Sequence, residues 1–221
     1  FFILHSSFFI LHSSFFILDW CFMSANPKHF YSLDEYFALE HANTTRFEYW
    51  DGDILCMSGG SLAHSRIAGN VFRRIGNDLE QAGRQCEAFT SDQPIKTPTL
   101  PPYRYPDASV VCGTVQLEQF RGIDMLINPI LIVEVMSPTS AELDRHAKFE
   151  AYKEISTVRE YLLIDQESPT VTLWQKQPDE SWAPTLAQGL DQSIELTSLA
   201  CTLHLADIYA RVEFGISEPS R

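Results

Sequence analysis

Two short runs rich in Val and Ile each carry a single carboxylate: Tyr105-Pro106-Asp107-Ala108-Ser109-Val110-Val111 and Ile130-Leu131-Ile132-Val133-Glu134-Val135. Such runs read as buried strands. An ionised carboxylate inside one is costly unless it is ion-paired, hydrogen-bonded or bound to a metal. Two of them in neighbouring strands can converge on one cation. The bland alternative is that both acids merely end their strands and face solvent.

The segment after Glu134 adds further polar groups. Ser137-Pro138-Thr139 breaks the strand, and Thr139-Ser140-Ala141-Glu142 opens a helix running to about Glu154. On that helix Asp144, Lys148 and Tyr152 recur at four-residue steps and share a face. Two acids and a lysine are the minimum set for magnesium-dependent hydrolysis of a phosphodiester. Magnesium takes oxygen ligands and keeps several waters, so Asp107, Glu134 and the Val135 carbonyl suffice to hold it. Lys148 would then hold the attacking water or stabilise the transition state. On that reading Lys148→Ala leaves fold and metal affinity nearly intact and slows turnover. The alternative is a solvated helix lysine paired with Asp144, a weak interaction.

The rest of the chain alternates helix and strand signals. Ser32-Leu33-Asp34-Glu35 is a capping box opening a helix through Leu39, and Phe47 to Leu55 reads as a hairpin around Asp51-Gly52. Ser61 caps a long helix to about Ala82, closed by Gly83, with an apolar stripe of Leu62, Ile67, Ala68, Val71, Phe72, Ile75 and Leu79. His64 faces inward with that stripe, as a core or cleft-lining residue by default and a phosphate contact or ligand as the alternative. Arg84 to Lys96 is a strand with a continuation, and the Pro98 to Pro102 loop leads into the Asp107 strand. Residues 113–128 are polar and read as irregular. Arg159 to Asp165 and Thr170 to Gln175 are strands joined at Pro169, followed by a weaker strand at Trp182 to Leu186 and a helix at Leu205 to Val212. This order predicts a mixed α/β fold, one central mixed β-sheet flanked by helices.

A chain of 221 residues suits a single domain with a proper core. Its net charge of −13 opposes casual binding to nucleic acid, because non-specific affinity for phosphates comes from Lys and Arg. A local basic cleft built from Arg66, Arg73, Arg74 and Lys96 remains open. The five cysteines (Cys21, Cys56, Cys86, Cys112 and Cys201) are odd in number and include no C-x-x-C pair. They indicate neither a zinc site nor a disulfide framework and read as core thiols of a reducing, cytoplasmic compartment. Residues 1–18 repeat Phe-Phe-Ile-Leu-His-Ser-Ser almost perfectly. The repeat lacks the basic residues of a secretory signal and the length of a membrane span. It reads as a translated tandem repeat upstream of a start at Met23, so residues 1–22 are set apart from a domain spanning residues 23–221.

Four pieces of this sequence together resemble a bacterial family of restriction-endonuclease-like proteins in the PD-(D/E)XK nuclease superfamily. They are Phe47-Glu48-Tyr49-Trp50-Asp51-Gly52, Ser61-Leu62-Ala63-His64-Ser65-Arg66-Ile67, Pro106-Asp107, and Glu134-Val135-Met136-Ser137-Pro138-Thr139-Ser140 with Asp144, Lys148 and Tyr152. Pro-Asp alone is nearly worthless as a motif, whereas all four in order, from about Phe30 to Val212, are specific. Glu160-Tyr161-Leu162-Leu163-Ile164-Asp165 extends the likeness. The resemblance implies a restriction-endonuclease-like domain with Asp107 and Glu134 as the motif acids. One position departs from the pattern: the lysine usually found two residues after the second acid is Met136 here. A thioether carries no charge to orient water, so the resemblance points to Lys148, on the following helix, as the replacement.

Two functions follow as expectations. The first is a Mg²⁺- or Mn²⁺-dependent endonuclease hydrolysing DNA, with Asp107, Glu134, Lys148 and Glu48 catalytic. Glu48 adds a third carboxylate through a water, or is an ordinary strand residue facing out. His64, Asp144 and Tyr152 line the cleft, with the Tyr152 ring packed against the sheet. The second is a nuclease-like domain that no longer cuts and binds nucleic acid or protein. Its acidic balance and Met136 favour that reading. No membrane partner is expected, and a homodimer is left open.

Overall fold

The capping box at Ser32 forms as its sequence predicts: the Ser32 Oγ accepts from the Glu35 N–H, and the Glu35 carboxylate accepts from the Ser32 N–H at 2.7 Å. It opens α1 (Leu33–Ala42), three residues longer than expected. In this computed structural model residues 30–43, 45–57, 60–138 and 140–214 are described. The heptad repeat, Met23 and Thr139 lie outside them. The chain divides into two compact units, one up to Gly59 and one from Gly60.

In the first unit α1 lies against a hairpin of β1 (Phe47–Trp50) and β2 (Asp53–Cys56). Its turn is Asp51-Gly52, both at positive φ, as a tight hairpin turn requires. The Tyr36 hydroxyl donates to the Phe47 carbonyl, and the Glu40 carboxylate accepts from the Phe47 N–H, so helix and hairpin share buried polar contacts.

The second unit opens with α2 (Leu62–Gln81), capped by Ser61 and followed by Gly83 at positive φ. Ile67, Val71, Ile75 and Leu79 are buried, but Leu62 is exposed, because it stands in the first turn beyond the edge of the sheet-facing stripe. Then come β3 (Cys86–Thr90), β4 (Ile95–Lys96), β5 (Tyr103–Arg104), β6 (Ala108–Cys112), β7 (Leu117–Phe120), β8 (Ile123–Leu126) and β9 (Leu131–Met136). A π-helical turn (Leu143–Lys148) runs into α3 (Phe149–Lys153). The chain ends in β10 (Glu160–Asp165), β11 (Thr170–Lys176), β12 (Trp182–Gln188), β13 (Ser193–Leu196), β14 (Cys201–His204) and α4 (Leu205–Ile208).

Six strands form the central mixed sheet in the order β12-β11-β10-β9-β6-β3, with β9 and β10 parallel and the other pairs antiparallel. The outer strand β12 carries Pro184 opposite Trp174. Alternation divides β9 cleanly between the two faces. Leu131, Val133 and Val135 join α2, β14 and α4 in one apolar layer, whereas Ile132 and Met136 pack with Phe149 and Tyr152 of α3 and Tyr161 of β10 in the other. Glu134 lies between Ile132 and Met136 and so belongs to the α3 face.

Three local expectations are corrected. Residues 117–126 are not irregular: Arg121-Gly122 turns β7 back on β8, and the hairpin joins β4 and β5 in a small second sheet. The hairpin β13–β14 was not foreseen either; at its turn Thr197 and Ser198 donate to the buried Glu160 carboxylate. Cys86 and Cys112 stand directly opposite one another across β3 and β6 and form a disulfide. This bridge departs from the expectation that the cysteines indicate no disulfide. The Cys201 thiol is half-buried, and burial pushes it up to about 11.

Ser109 lies opposite Ile132 on the α3 face, fully buried, and among the described residues its Oγ has no hydrogen-bond partner. A buried hydroxyl without a partner opposes folding. Ser109→Ala is expected to stabilise the protein by about 1 kcal/mol, raising Tm by roughly 2–4 °C. A lower melting temperature in calorimetry would show that the hydroxyl is bonded.

Candidate active site

The register of the sheet brings the two acids to the same end of β6 and β9. Ala108 pairs with Val133 at the last rung between β6 and β9, so the next position brings Asp107 opposite Glu134. Opposed residues of an antiparallel pair share a face. Asp107 stands just ahead of β6 rather than inside it. Its Oδ2 accepts from the Val135 N–H at 2.7 Å, and its Oδ1 lies 3.4 Å from His64 Nε2. His64 occupies the first turn of α2, where its own N–H donates to the capping Ser61 hydroxyl. The Ser61 hydroxyl in turn donates to Gln166, tying the start of α2 to the chain beyond β10.

From the other side the π-helical turn brings Lys148 over Glu134. Its Nζ lies 3.2 Å from each Glu134 oxygen and 3.2 Å from Asp144 Oδ1. The Tyr152 hydroxyl donates to Glu134 Oε1 at 3.3 Å. Glu134, Asp144 and Lys148 are 2 %, 1 % and 5 % exposed, so this is a buried ion cluster and not the solvated i, i+4 pair of the alternative reading. Asp144 Oδ1 takes part in the ion pair but accepts no well-directed hydrogen bond. The Asp144 main chain is better held: its N–H donates to the Ser140 carbonyl, and its carbonyl accepts the Tyr161 hydroxyl at 2.7 Å.

The electrostatics follow from this crowding. Burial raises the Asp144 carboxyl above its ordinary value; the Lys148 charge and a Ser140 hydrogen bond oppose that rise, and the Asp107 charge adds to it. His64 is raised chiefly by its hydrogen bond to Asp107, against the effect of burial, and the charges of Asp107 and Asp144 add to the rise. The Tyr161 phenol is pushed well up by burial and by the Glu134 charge, so it stays protonated and able to donate.

The structure therefore brings Asp107, Glu134, Val135, His64, Asp144, Lys148 and Tyr152 together at one end of β6 and β9. Glu48 belongs to β1 of the first unit, where it is buried, not facing out, and accepts from Trp50 Nε1 at 3.1 Å. The four cations named for a possible basic cleft each bond within the fold. Arg66 donates to the Arg211 carbonyl, Arg73 to Asn70, Arg74 pairs with Asp78 and Asp207, and Lys96 pairs with Glu118. Sequence reasoning passed over Ser140 and Tyr161, which moor Asp144. Tyr161 carried a signal in its place on the strand beside Glu134, but the helix it would touch was not predictable.

Burial changes the expectation for removing Lys148. Without the ammonium, Glu134 and Asp144 are left as uncompensated buried acids. An acid whose folded pKa is raised contributes stability below its unfolded value, near 4, and loses it as pH rises through the folded value. The deficit of Lys148→Met should therefore be small near pH 4 and grow to about 3–5 kcal/mol at neutral pH. Urea melts across that range check this, and a deficit independent of pH would exclude charge burial as its cause.

Residues 33–206 match the Uma2 family model, whose description reads "Putative restriction endonuclease". Two uncharacterized proteins of a Synechocystis strain are similar. One is 32 % identical over 183 residues, covering 83 % of this chain and 93 % of the relative. The other is 34 % identical over 163 residues, covering 74 % and 90 %. A crystal structure from Anabaena variabilis, described as a "putative nuclease belonging to DUF820", superposes with a TM-score of 0.63 at 20 % identity, covering 81 % of this chain and 97 % of that one. That likeness shows a shared fold. The chain belongs to the Uma2 family of restriction-endonuclease-like proteins.

Proposed function

We propose that this protein is a metal-dependent endonuclease hydrolysing DNA phosphodiester bonds, with Asp107, Glu134 and the Val135 carbonyl holding Mg²⁺ or Mn²⁺. One observation carries the reading: Asp107, Glu134 and Asp144 bring three negative charges to a largely buried cluster in which Lys148 supplies one positive charge. The donor set fits a hard divalent cation, since it consists of the Asp107 and Glu134 carboxylate oxygens and a backbone carbonyl. Among the described residues no three His, Cys, Asp or Glu side chains form a ready-made cage. A backbone carbonyl and water would complete the shell, as magnesium commonly accepts. The family description and the nuclease named for the Anabaena fold relative support the same reaction class.

When bound, the ion supplies Lewis acidity and a lowered pKa for water. The protein's own groups do the positioning. The Val135 N–H and His64 hold the two Asp107 oxygens, and Tyr152 fixes one Glu134 oxygen. In this reading Lys148 would orient water against a phosphodiester or stabilise charge developing on the phosphate.

A second reading, a nuclease-like module that binds without cutting, is favoured by the net charge of −13 and by the intramolecular engagement of Arg66, Arg74 and Lys96. Titration calorimetry with Mn²⁺ and cleavage of plasmid DNA separate the two. The expected result is metal binding and metal-dependent nicking by the wild type, both lost in Asp107→Ala, with a drop in turnover of about 10²-fold or more. DNA binding without cleavage at any Mg²⁺ or Mn²⁺ concentration would establish the second reading instead. No described helix is long and apolar enough to cross a membrane.

A further inference from the structure

The position two residues beyond Glu134 carries no cation. Met136 points to the same face as Glu134 and is packed in the apolar layer with Phe149 and Tyr152. A cation for this site must arrive from another element. The following helix can supply one, but a regular helix aims poorly over three side chains at four-residue steps. Each such step in an α-helix overshoots a full turn by about 40°, so Asp144 and Tyr152 would diverge by about 80°. Here the first step lies in a π-helical turn and only the second in α3. A π turn, with its i→i+5 pattern and about 4.4 residues per turn, undershoots over four residues by roughly 30°. The two deviations cancel. Lys148 accordingly meets Asp144 and Glu134 together, while Tyr152 still reaches Glu134.

We propose that Asp144 is a positioning residue whose carboxylate, delivered by the π-helical turn, holds the Lys148 ammonium at Glu134 in place of the lysine that Met136 displaces. The inference rests on the endonuclease reading for its effect on turnover, but not for its effect on where Lys148 sits. The main chain of the turn is moored without the Asp144 side chain, through Ser140 and through the Tyr161 hydroxyl on β10. The side chain adds a Ser140 hydrogen bond to these main-chain contacts. It is buried, and its Oδ1 faces the ammonium as an ion pair. Removing its charge takes away one of the two carboxylates that lie 3.2 Å from the Lys148 ammonium.

The test compares wild type, Asp144→Asn, Lys148→Met and the double variant, with Mn²⁺ and plasmid DNA as probes. Asp144→Asn should lower kcat by about 10-fold to 100-fold with KM and Mn²⁺ affinity within about twofold of wild type. The same change made on Lys148→Met should cost no further activity, because residues acting through one group are not additive. Acylation by acetic anhydride, read by mass spectrometry, should modify Lys148 several times faster in Asp144→Asn than in wild type, with Lys153 as the internal reference. An unchanged kcat, a weakened Mn²⁺ affinity or an equal loss in both backgrounds would overturn the assignment. Should the wild type not cleave DNA, the endonuclease reading falls, and faster labelling of Lys148 still supports the positioning role; unchanged labelling overturns that too. Asp144→Ser, read by labelling alone, serves if Asp144→Asn does not fold.

Discussion

The ammonium of Lys148, enclosed between Glu134 and Asp144, is the interaction on which the rest of the second unit's polar design depends. Two carboxylates on the inner face of a packed α/β layer are incompatible with folding unless something offsets them. Lys148 offsets part of that charge, Tyr152 supplies a hydrogen bond, and the remaining imbalance is spread to Asp107, where His64 and the Val135 N–H meet it. Each helper comes from a different element: α2, β9, the π-helical turn and α3. The cluster thus ties both faces of the sheet to one end of β6 and β9.

Much of this architecture was legible in the sequence where local chemistry dictates structure. Ser32 with Glu35, the Asp51-Gly52 turn and Ser61 each specify a terminus or a turn through hydrogen bonds made within a few residues. Asp107 and Glu134 stood out because charge is rare in Val- and Ile-rich runs, and the sheet sets them opposite one another. What was not legible depends on partners distant in the chain. The strand Leu117–Phe120 is exposed along most of its length and Ile123–Leu126 is buried only at Met125 and Leu126, so neither carries the alternation that marks a half-buried strand. The Cys86–Cys112 pairing is a matter of register between β3 and β6, which spacing alone does not encode. The π-helical turn is invisible for the same reason: it exists to satisfy Glu134 and Tyr161, which lie outside it in the chain.

The placement of cations bears on how an acidic protein could meet a polyanion. Arg66, Arg74 and Lys96 are engaged within the fold, and Lys148 is enclosed at the cluster. Affinity for phosphates built mainly from surface Lys and Arg would fall steeply with salt. On the proposed endonuclease reading, a site whose positive charge sits behind its carboxylates would instead tie phosphate recognition to the arrival of a metal ion.

Pro184 on the outer strand β12 has a consequence for association between molecules. A strand paired on one side exposes a row of backbone donors and acceptors on the other, a ready template for another chain. Opposite Trp174 that row lacks a donor, because proline has no N–H to offer outward. Two copies laid edge to edge along β12 would leave a carbonyl without its mate in the middle of the new seam. Growth of the sheet into a continuous ribbon is thereby interrupted at this border.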